Sequence, residues 1–212
     1  MRWRRTVPRR SGRAGAAAAA LSLLAVVSLA GCSGSGEGGG PADRAATAQP
    51  STVGRTSSDR TCPQLDRAQP RDDGLPDLDL PCLEDGPSVN LADLRGTPTV
   101  LNVWAAWCTN CDREMPLFAD AMDRAGDRLR FFGVHYKATR AQGRTSEDDF
   151  GVPFPSAHDG DGDLTVARLR ATAPPQTFFV SADGKVVGRK VGEITSQDEL
   201  DGLVEQYLGV RL

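Results

Sequence analysis

The sequence predicts an α/β fold with a central mixed sheet, helices on both of its faces and an N-terminal β extension. Two apolar runs, 99–105 and 129–136, have the length and composition of fully buried strands, and a helix over 109–125 lies between them. A hairpin and a last helix follow along the chain. Because buried strands are apolar on both sides, strands that alternate with helices favour a sheet covered on both faces.

The remaining elements are shorter and are bounded by turn residues. Strands are predicted at 75–83, 89–91, 177–181 and 185–191, and helices at 145–150, 164–169 and 197–208. The last helix begins with the capping-box pattern Ser196-x-x-Glu199 and stops at Gly209. The Asp-Gly-Asp-Gly run at 159–162 predicts a solvated turn, because the twelve-residue calcium-loop pattern with its terminal Glu is incomplete.

A Cys-x-x-Cys pair, Cys108 and Cys111, lies where the first buried strand gives way to the helix. A Cys108 thiolate would face the unpaired N–H groups of the helix N-terminus, which lower the thiol pKa and make it the attacking group. Cys111, one turn along, would resolve the mixed disulfide. Half of a zinc site and two inert core cysteines are the alternatives, but His135 and His158 form no metal-like cluster with the remaining cysteines. We expect neither a metal nor a cofactor.

The N-terminus has the composition of an export signal. Six arginines and no acidic residue occupy the first 13 positions, and an apolar run over 14–30 precedes Gly31-Cys32. This ending resembles the bacterial lipoprotein box, in which the cysteine is lipidated and becomes the mature N-terminus. We therefore predict a lipoprotein signal peptide over 1–31 and a lipid on Cys32. The alternative is an uncleaved membrane helix, for which 17 Ala-rich residues are short.

Residues 32–60 predict a flexible tether, because Gly, Ser, Ala, Thr and Pro with few apolar residues cannot form a core. The remaining 61–212 suit a single domain. Loss of the signal peptide would change the formal charge from −3 to −9 by removing six arginines, and so acidic a surface argues against nucleic-acid binding. We expect the protein at the extracytoplasmic face of the cell membrane, held by its lipid anchor.

Several strings of residues occur in the same order as in a known family. They are Leu101-Asn102-Val103-Trp104-Ala105, Cys108 to Cys111, Glu114-Met115-Pro116, Gly133-Val134-His135-Tyr136-Lys137, Pro175-Gln176-Thr177-Phe178-Phe179-Val180 and Asp183-Gly184-Lys185. With the predicted order of elements, the region 75–208 resembles the thioredoxin fold. More narrowly, it is similar to the TlpA, ResA and CcmG group of membrane-tethered, extracytoplasmic thiol-disulfide reductases.

The resemblance implies roles for further residues. Pro175 matches the proline that follows a cis peptide beside the active-site disulfide, so Pro174-Pro175 is the expected cis bond, with both prolines and Trp107 contacting the substrate. Glu114, one helical turn after Cys111, matches a carboxylate that exchanges a proton with the resolving thiol. The alternatives are a Pro-Pro loop breaker and a surface helix residue.

The chain departs from the group at three places. Thr109-Asn110 replaces a dipeptide that usually ends in Pro, and these residues tune the reduction potential. Cys62 and Cys82 are additional. In an exported protein they most simply form a structural disulfide that pins the N-terminal segment to the first strand. Two free buried thiols, or a second redox pair that relays electrons to Cys108, are the alternatives.

The expected function is that of an enzyme, a protein-disulfide reductase that acts on exported proteins bearing cysteines or disulfides. The resemblance suggests apocytochrome c or its maturation apparatus as the client, and a membrane thiol shuttle as the reductant. We expect a monomer, in which Trp104 and Trp107 pack beside the disulfide and offer an apolar contact to the partner chain. A disulfide oxidase or isomerase of the same fold is one alternative, and a thiol-based copper or haem carrier is another.

Overall fold

The computed structural model describes residues 60–212. The strands are β1 (Asp79–Leu80), β2 (Val89–Asn90), β3 (Thr99–Trp104), β4 (Arg130–Tyr136), β5 (Ser156–Asp159), β6 (Gln176–Val180) and β7 (Val186–Val191). The helices are α1 (Thr109–Ala125), α2 (Arg140–Asp149) and α3 (Gln197–Leu208), with short 3₁₀ turns at Leu91–Asp93 and Gly126–Arg128 and a π-helical turn at Thr165–Leu169. The predicted signal peptide, the predicted lipidation site Cys32 and nearly all of the predicted tether lie outside the described residues.

Five strands form the central sheet in the order β5-β4-β3-β6-β7. Strands β3, β4 and β5 run parallel, whereas β6 is antiparallel to both β3 and β7. Strands β1 and β2 form a separate antiparallel pair, which is the predicted N-terminal β extension. The α/β class, with its mixed sheet and flanking helices, is therefore confirmed.

The two long helices begin and end at the predicted residues because their caps are encoded locally. Cys108 caps α1 through its Sγ, and Gly126, with φ of +55°, ends the helix. Ser196 Oγ accepts a hydrogen bond from the N–H of Glu199 at the start of α3, and Gly209 ends that helix in the left-handed conformation. The buried positions of α1 recur every three or four residues: Cys111, Glu114, Met115, Phe118, Ala121 and Ala125.

Three elements differ from the prediction. The strand predicted at 75–83 is reduced to the two residues of β1, Asp79–Leu80, which are the ones that pair with β2. Helix α2 begins at Arg140 rather than near residue 145, because Thr139 and Gln142 form a capping box of reciprocal hydrogen bonds. The unpredicted strand β5 pairs with β4, with Ser156 opposite Gly133. With only four residues, two of them charged or ionisable, β5 carries little apolar pattern of its own, and its extended form depends on pairing with β4.

The Asp-rich turn also differs from its prediction, because its first residue is buried rather than solvated. The carboxylate of Asp159 accepts hydrogen bonds from the N–H groups of Gly162 and Thr165, at 3.2 and 2.6 Å. This carboxylate therefore organises the turn and the start of the π-helical segment.

The N-terminal segment packs along β5. A disulfide joins Cys62 to Cys82 with an S–S distance of 2.08 Å, and both cysteines are buried. The N–H of Leu83 donates to the carbonyl of Ser156 at 2.7 Å. Arg60, which the sequence analysis places at the end of the tether, is also buried. None of the helices in residues 60–212 is long and apolar enough to cross a bilayer.

Candidate active site

The Cys108–Cys111 pair is a disulfide at the N-terminus of α1, with an S–S distance of 2.05 Å. The N–H of Cys111 points at Sγ of Cys108 at 3.1 Å. Cys108 keeps 5 % of its surface exposed, whereas Cys111 has none. In the reduced protein a thiolate on Cys108 would therefore lie at the positive end of the helix and beside a backbone donor, while Cys111 is shielded from solvent.

Glu114 lies one turn beyond Cys111 and is completely buried. Its Oε1 accepts a hydrogen bond from Asn102 Nδ2 at 2.8 Å, and its Oε2 accepts one from the N–H of Ile194 at 3.0 Å. Burial raises the pKa of Glu114 to about 7, although both hydrogen bonds favour the charged form and pull the pKa down. Glu114 is therefore not a surface helix residue, and its carboxyl group can gain or lose a proton near neutral pH.

The two hydrogen-bond partners of Glu114 come from different parts of the fold. Asn102 lies in β3 and also donates to Oγ1 of Thr177 in β6 at 3.2 Å, and Ile194 lies between β7 and α3. The sequence indicates Glu114 as a neighbour of the cysteines, but its second hydrogen-bond partner is a backbone group far along the chain. No pattern of side chains in the sequence predicts such a contact.

The peptide bond between Pro174 and Pro175 is cis. Gln176 at the start of β6 pairs with Val103, so Pro175 lies beyond the last residue pair at the end of β3 that leads to the Cys-x-x-Cys turn. The carbonyl of Pro175 accepts a hydrogen bond from the N–H of Gly192 at 3.0 Å, which ties it to the end of β7. Pro175 is buried and Pro174 is partly exposed. The fold thus brings the proline pair and the cysteines to one end of the sheet.

The two tryptophans have different environments, which corrects the expectation that both offer a contact surface. Trp104 is completely buried, donates its Nε1–H to Oγ of Ser156 at 3.1 Å, and packs with its ring centroid 4.8 Å from that of His135. Trp107 is 58 % exposed and donates its Nε1–H to the carbonyl of Lys137 at 3.0 Å. Only Trp107 can present a face to another protein.

Sequence reasoning missed a contact between two histidines on the neighbouring strands β4 and β5. His135 and His158 bring their Nδ1 atoms to 3.0 Å from each other. Burial lowers the pKa of His135 to about 3, so this ring is neutral at physiological pH. Within residues 60–212, these histidines belong to no cluster of three or more His, Cys, Asp or Glu side chains that could hold a metal ion.

A groove of about 370 Å³ opens next to the cysteines. Uncharged residues of the turn before Cys108 and of α2 line it: Ala106, Trp107, Ala141, Gln142, Thr145 and Ser146. Trp107 therefore forms part of the wall of an uncharged groove beside the active-site turn.

A mixed sheet of this order, with a Cys-x-x-Cys disulfide at a helix N-terminus and a cis-proline at the same end, defines a thioredoxin-like redox protein. Residues 72–189 match the model of the AhpC/TSA family, and the chain belongs to that family.

Named relatives narrow the class. The chain is 32 % identical over 130 residues to a thiol:disulfide interchange protein DsbE of Pseudomonas fluorescens biotype C, covering 59 % of this chain and 71 % of the relative. It is 27 % identical over 123 residues to the thiol-disulfide oxidoreductase ResA of Bacillus thuringiensis strain Al Hakam, covering 58 % and 70 %.

A solved structure gives the same assignment. A secreted Mycobacterium tuberculosis disulfide oxidoreductase, described as homologous to E. coli DsbE, superimposes with a TM-score of 0.53 and 27 % identity, over 61 % of this chain and 96 % of that one. The protein is therefore a thiol-disulfide oxidoreductase of the DsbE and ResA type, which confirms the enzyme class that the sequence predicts.

Proposed function

We propose that this protein reduces disulfides in exported proteins at the outer face of the cell membrane. The observation that carries the proposal is the asymmetry of the two cysteines at the start of α1. Sγ of Cys108 faces a backbone N–H at 3.1 Å and is slightly exposed, whereas Cys111 is completely buried. A thiol pair of this geometry has one group that can reach a partner and one that can act only inside the protein.

The reaction begins with the reduced protein. The Cys108 thiolate attacks one sulfur of a client disulfide, a mixed disulfide forms, and the other client sulfur leaves as a thiolate. Cys111 then loses its proton and attacks Sγ of Cys108, so that the Cys108–Cys111 disulfide forms and the second client sulfur leaves. Two electrons pass from the protein to the client, and a membrane thiol shuttle restores the dithiol.

Glu114 is the group that accepts the proton of Cys111 in the second step. It lies one helical turn from Cys111, and no part of either side chain is exposed. Its pKa of about 7 allows it to act as a base during resolution and to return the proton when the dithiol is restored. The hydrogen bonds from Asn102 and Ile194 hold the carboxylate in one orientation. The carboxylate therefore need not reorient before it accepts the proton of Cys111.

Client binding is assigned to Trp107, Pro174 and Pro175. Trp107 is the exposed aromatic side chain immediately before Cys108. Its ring offers a flat apolar surface on which an extended client segment can pack, while the polar groups of that segment stay at the edge of the contact. The proline pair lies at the same end of the sheet. A client chain that reaches Cys108 therefore passes between these residues.

The proposed setting is the extracytoplasmic membrane surface. A lipid on Cys32 would anchor the protein, and residues after Cys32 would let a monomeric domain reach its clients. The resemblance to the TlpA, ResA and CcmG group suggests apocytochrome c, or a protein of its maturation apparatus, as the client.

One departure in the sequence favours a second candidate, an oxidase of the same fold. Asn110 replaces the proline that is usual before the resolving cysteine, and it therefore retains a backbone N–H near Cys108. Additional stabilisation of the thiolate would make the pair more oxidising. The reduction potential separates the two directions: a reductase should lie near thioredoxin, at about −270 mV, whereas a value near −120 mV is that of a strong oxidant.

Trapping tests the function as a whole. In cells that carry Cys111→Ser, we expect Cys108 to accumulate mixed disulfides with small exported proteins that contain cysteines. Non-reducing gels detect these adducts, and mass spectrometry identifies the clients that reduction then releases. Cys108→Ser is the matched control and should trap nothing. If Cys111→Ser captured no more protein than Cys108→Ser, the proposed reductase function would be wrong.

A further inference from the structure

Lys137 has an unusual backbone conformation next to the active site. It lies directly after β4, and its φ is +50°. Left-handed backbone is sterically costly for residues with a Cβ, and among them Asn and Asp adopt it far more readily than Lys does. Such conformations persist only where neighbouring contacts determine them, and they concentrate at functional sites.

Contacts on both sides fix Lys137 in this conformation. Its N–H donates to the carbonyl of Asp159 at 3.0 Å, and its carbonyl accepts the indole N–H of Trp107 at 3.0 Å. The 159–162 turn packs closely on the same segment, since a Cβ added to Gly162 would lie 3.0 Å from Cβ of Lys137 and 2.6 Å from the ring of Tyr136. The left-handed residue therefore turns its carbonyl out of the sheet and towards the active-site turn.

Trp107 is exposed and yet held on two sides. Apart from the bond to the carbonyl of Lys137, the edge of its ring meets the buried Tyr136, with centroids 6.3 Å apart at 60°. A freely rotating indole would lose rotamer freedom when a client binds, and that loss weakens binding. A ring that is already fixed beside Cys108 avoids most of this entropic cost.

We propose that Lys137 is a positioning residue. Its left-handed backbone directs its carbonyl towards Trp107, and the hydrogen bond between them fixes the orientation of the Trp107 ring before a protein client binds to it. The inference rests on the proposed function and deepens it, because it predicts that protein disulfides are favoured over small ones. The lysine side chain plays no part in it. A small disulfide needs only Cys108, whereas a polypeptide also lies against Trp107.

Two substitutions of Lys137 distinguish the effect of its backbone conformation from the effect of its side chain. Lys137→Asn and Lys137→Val both remove the ammonium group. Asn tolerates the left-handed region, whereas a β-branched residue strongly disfavours it. We expect Lys137→Val to move the carbonyl and free the indole, and Lys137→Asn to leave both in place.

The readouts are steady-state kinetics of the full chain with oxidised insulin and with 2-hydroxyethyl disulfide, recorded in parallel. Lys137→Val should raise KM for insulin roughly fivefold, the size of one lost hydrogen bond, with little change in kcat or in the rate with the small disulfide. Lys137→Asn should have the KM of the wild type. In an NMR spectrum, the Trp107 indole N–H, assigned with Trp107→Phe, should exchange with water faster in Lys137→Val only.

Trp107→Phe keeps the inference falsifiable if Lys137→Val folds poorly, because it removes the indole donor and part of the ring without changing Lys137. It should raise KM for insulin, and an unchanged KM for insulin in this variant alone would overturn the inference. In this background Lys137→Val and Lys137→Asn should no longer differ. The inference is overturned if the two Lys137 variants behave alike with Trp107 present, or if their difference persists without the indole. A wild-type chain that reduces neither disulfide would instead refute the proposed function itself.

Discussion

Asn102 donates a hydrogen bond from Nδ2 to Oε1 of Glu114 over 2.8 Å, and the exposed fraction of the two side chains is 1 % and 0 %. A carboxyl group without solvent pays a desolvation penalty when it ionises, and this contact only partly offsets that penalty. The pKa of Glu114 therefore stays raised, at about 7, against an ordinary value of 4.5. The buried pair couples the first strand of the active site to the helix that carries both cysteines.

The raised pKa of Glu114 predicts how stability depends on pH. Because the folded protein holds this proton up to about pH 7 and the unfolded chain only up to about 4.5, stability is full below pH 4.5 and falls as pH rises through 7. Glu114→Gln should remove this decline, which amounts to about 3 kcal/mol between those limits. Urea unfolding of the oxidised protein at pH 4.5, 6 and 8 measures it.

Asp112→Asn is the control for Glu114→Gln, since it removes an exposed carboxyl group from the same helix. The decline with pH that Glu114 causes should remain in this variant. An identical decline with pH in wild type and Glu114→Gln would show that Glu114 titrates as an ordinary surface carboxyl.

Removal of a second buried ionisable group, the guanidinium of Arg60 in the N-terminal segment, should lower the stability of the protein. Arg60 is 3 % exposed and lies within 3.7 Å of carboxylate oxygens of Glu84, Glu147 and Asp148. Arg60→Met leaves this acidic group without its guanidinium, which should destabilise the protein by about 3 kcal/mol. Thermal or urea unfolding at constant pH measures the change.

Burial also raises the pKa of Glu147 to about 8, so its proton, like that of Glu114, is held more tightly in the folded state. Loss of Arg60 removes an attraction that favours the charged form, and stability should fall more steeply with rising pH in Arg60→Met. Adding Glu147→Gln should recover part of the loss. Arg211→Met, which breaks an exposed pair with Glu205, should change stability little; equal effects at the two arginines would contradict the assignment.

Removal of the Cys62–Cys82 disulfide should lower the stability of the protein without changing its catalytic rate. The disulfide closes a 20-residue separation, and its removal in Cys62→Ala/Cys82→Ala should cost about 3 kcal/mol of stability. The rate with 2-hydroxyethyl disulfide should stay within about twofold of the wild type at a temperature where both are folded. Mass mapping of the non-reduced protein that joined either cysteine to Cys108 or Cys111 would instead support an electron relay.

How much the sequence predicts depends on whether the determining contacts are local. Helices α1 and α3 are predicted to the residue because Cys108, Gly126, Ser196 and Gly209 are caps within or beside them. The start of α2 is encoded just as locally, in the capping box of Thr139 and Gln142, although the predicted helix begins only near residue 145. Strand β5 was not encoded locally, because a short polar segment becomes extended only when β4 offers it a partner.

The same distinction between local and long-range contacts holds at the candidate active site. The roles proposed for Cys108, Cys111 and Glu114 follow from spacing and resemblance alone. The second hydrogen bond to Glu114 comes from the N–H of Ile194, 80 residues away, and the anchor of Trp107 is the carbonyl of Lys137. Both are backbone groups whose direction depends on tertiary structure, so side-chain patterns cannot reveal them.

The acidity of the Cys108 thiol is the property on which the mechanism depends. The most direct measurement is the pH dependence of alkylation of Cys108 in full-chain Cys111→Ser, followed at residue 108 by mass spectrometry. A thiolate held at the N-terminus of α1 should react with an apparent pKa at least one unit below the free-cysteine value of about 8.5. Reactivity that follows the titration of free cysteine would contradict the account.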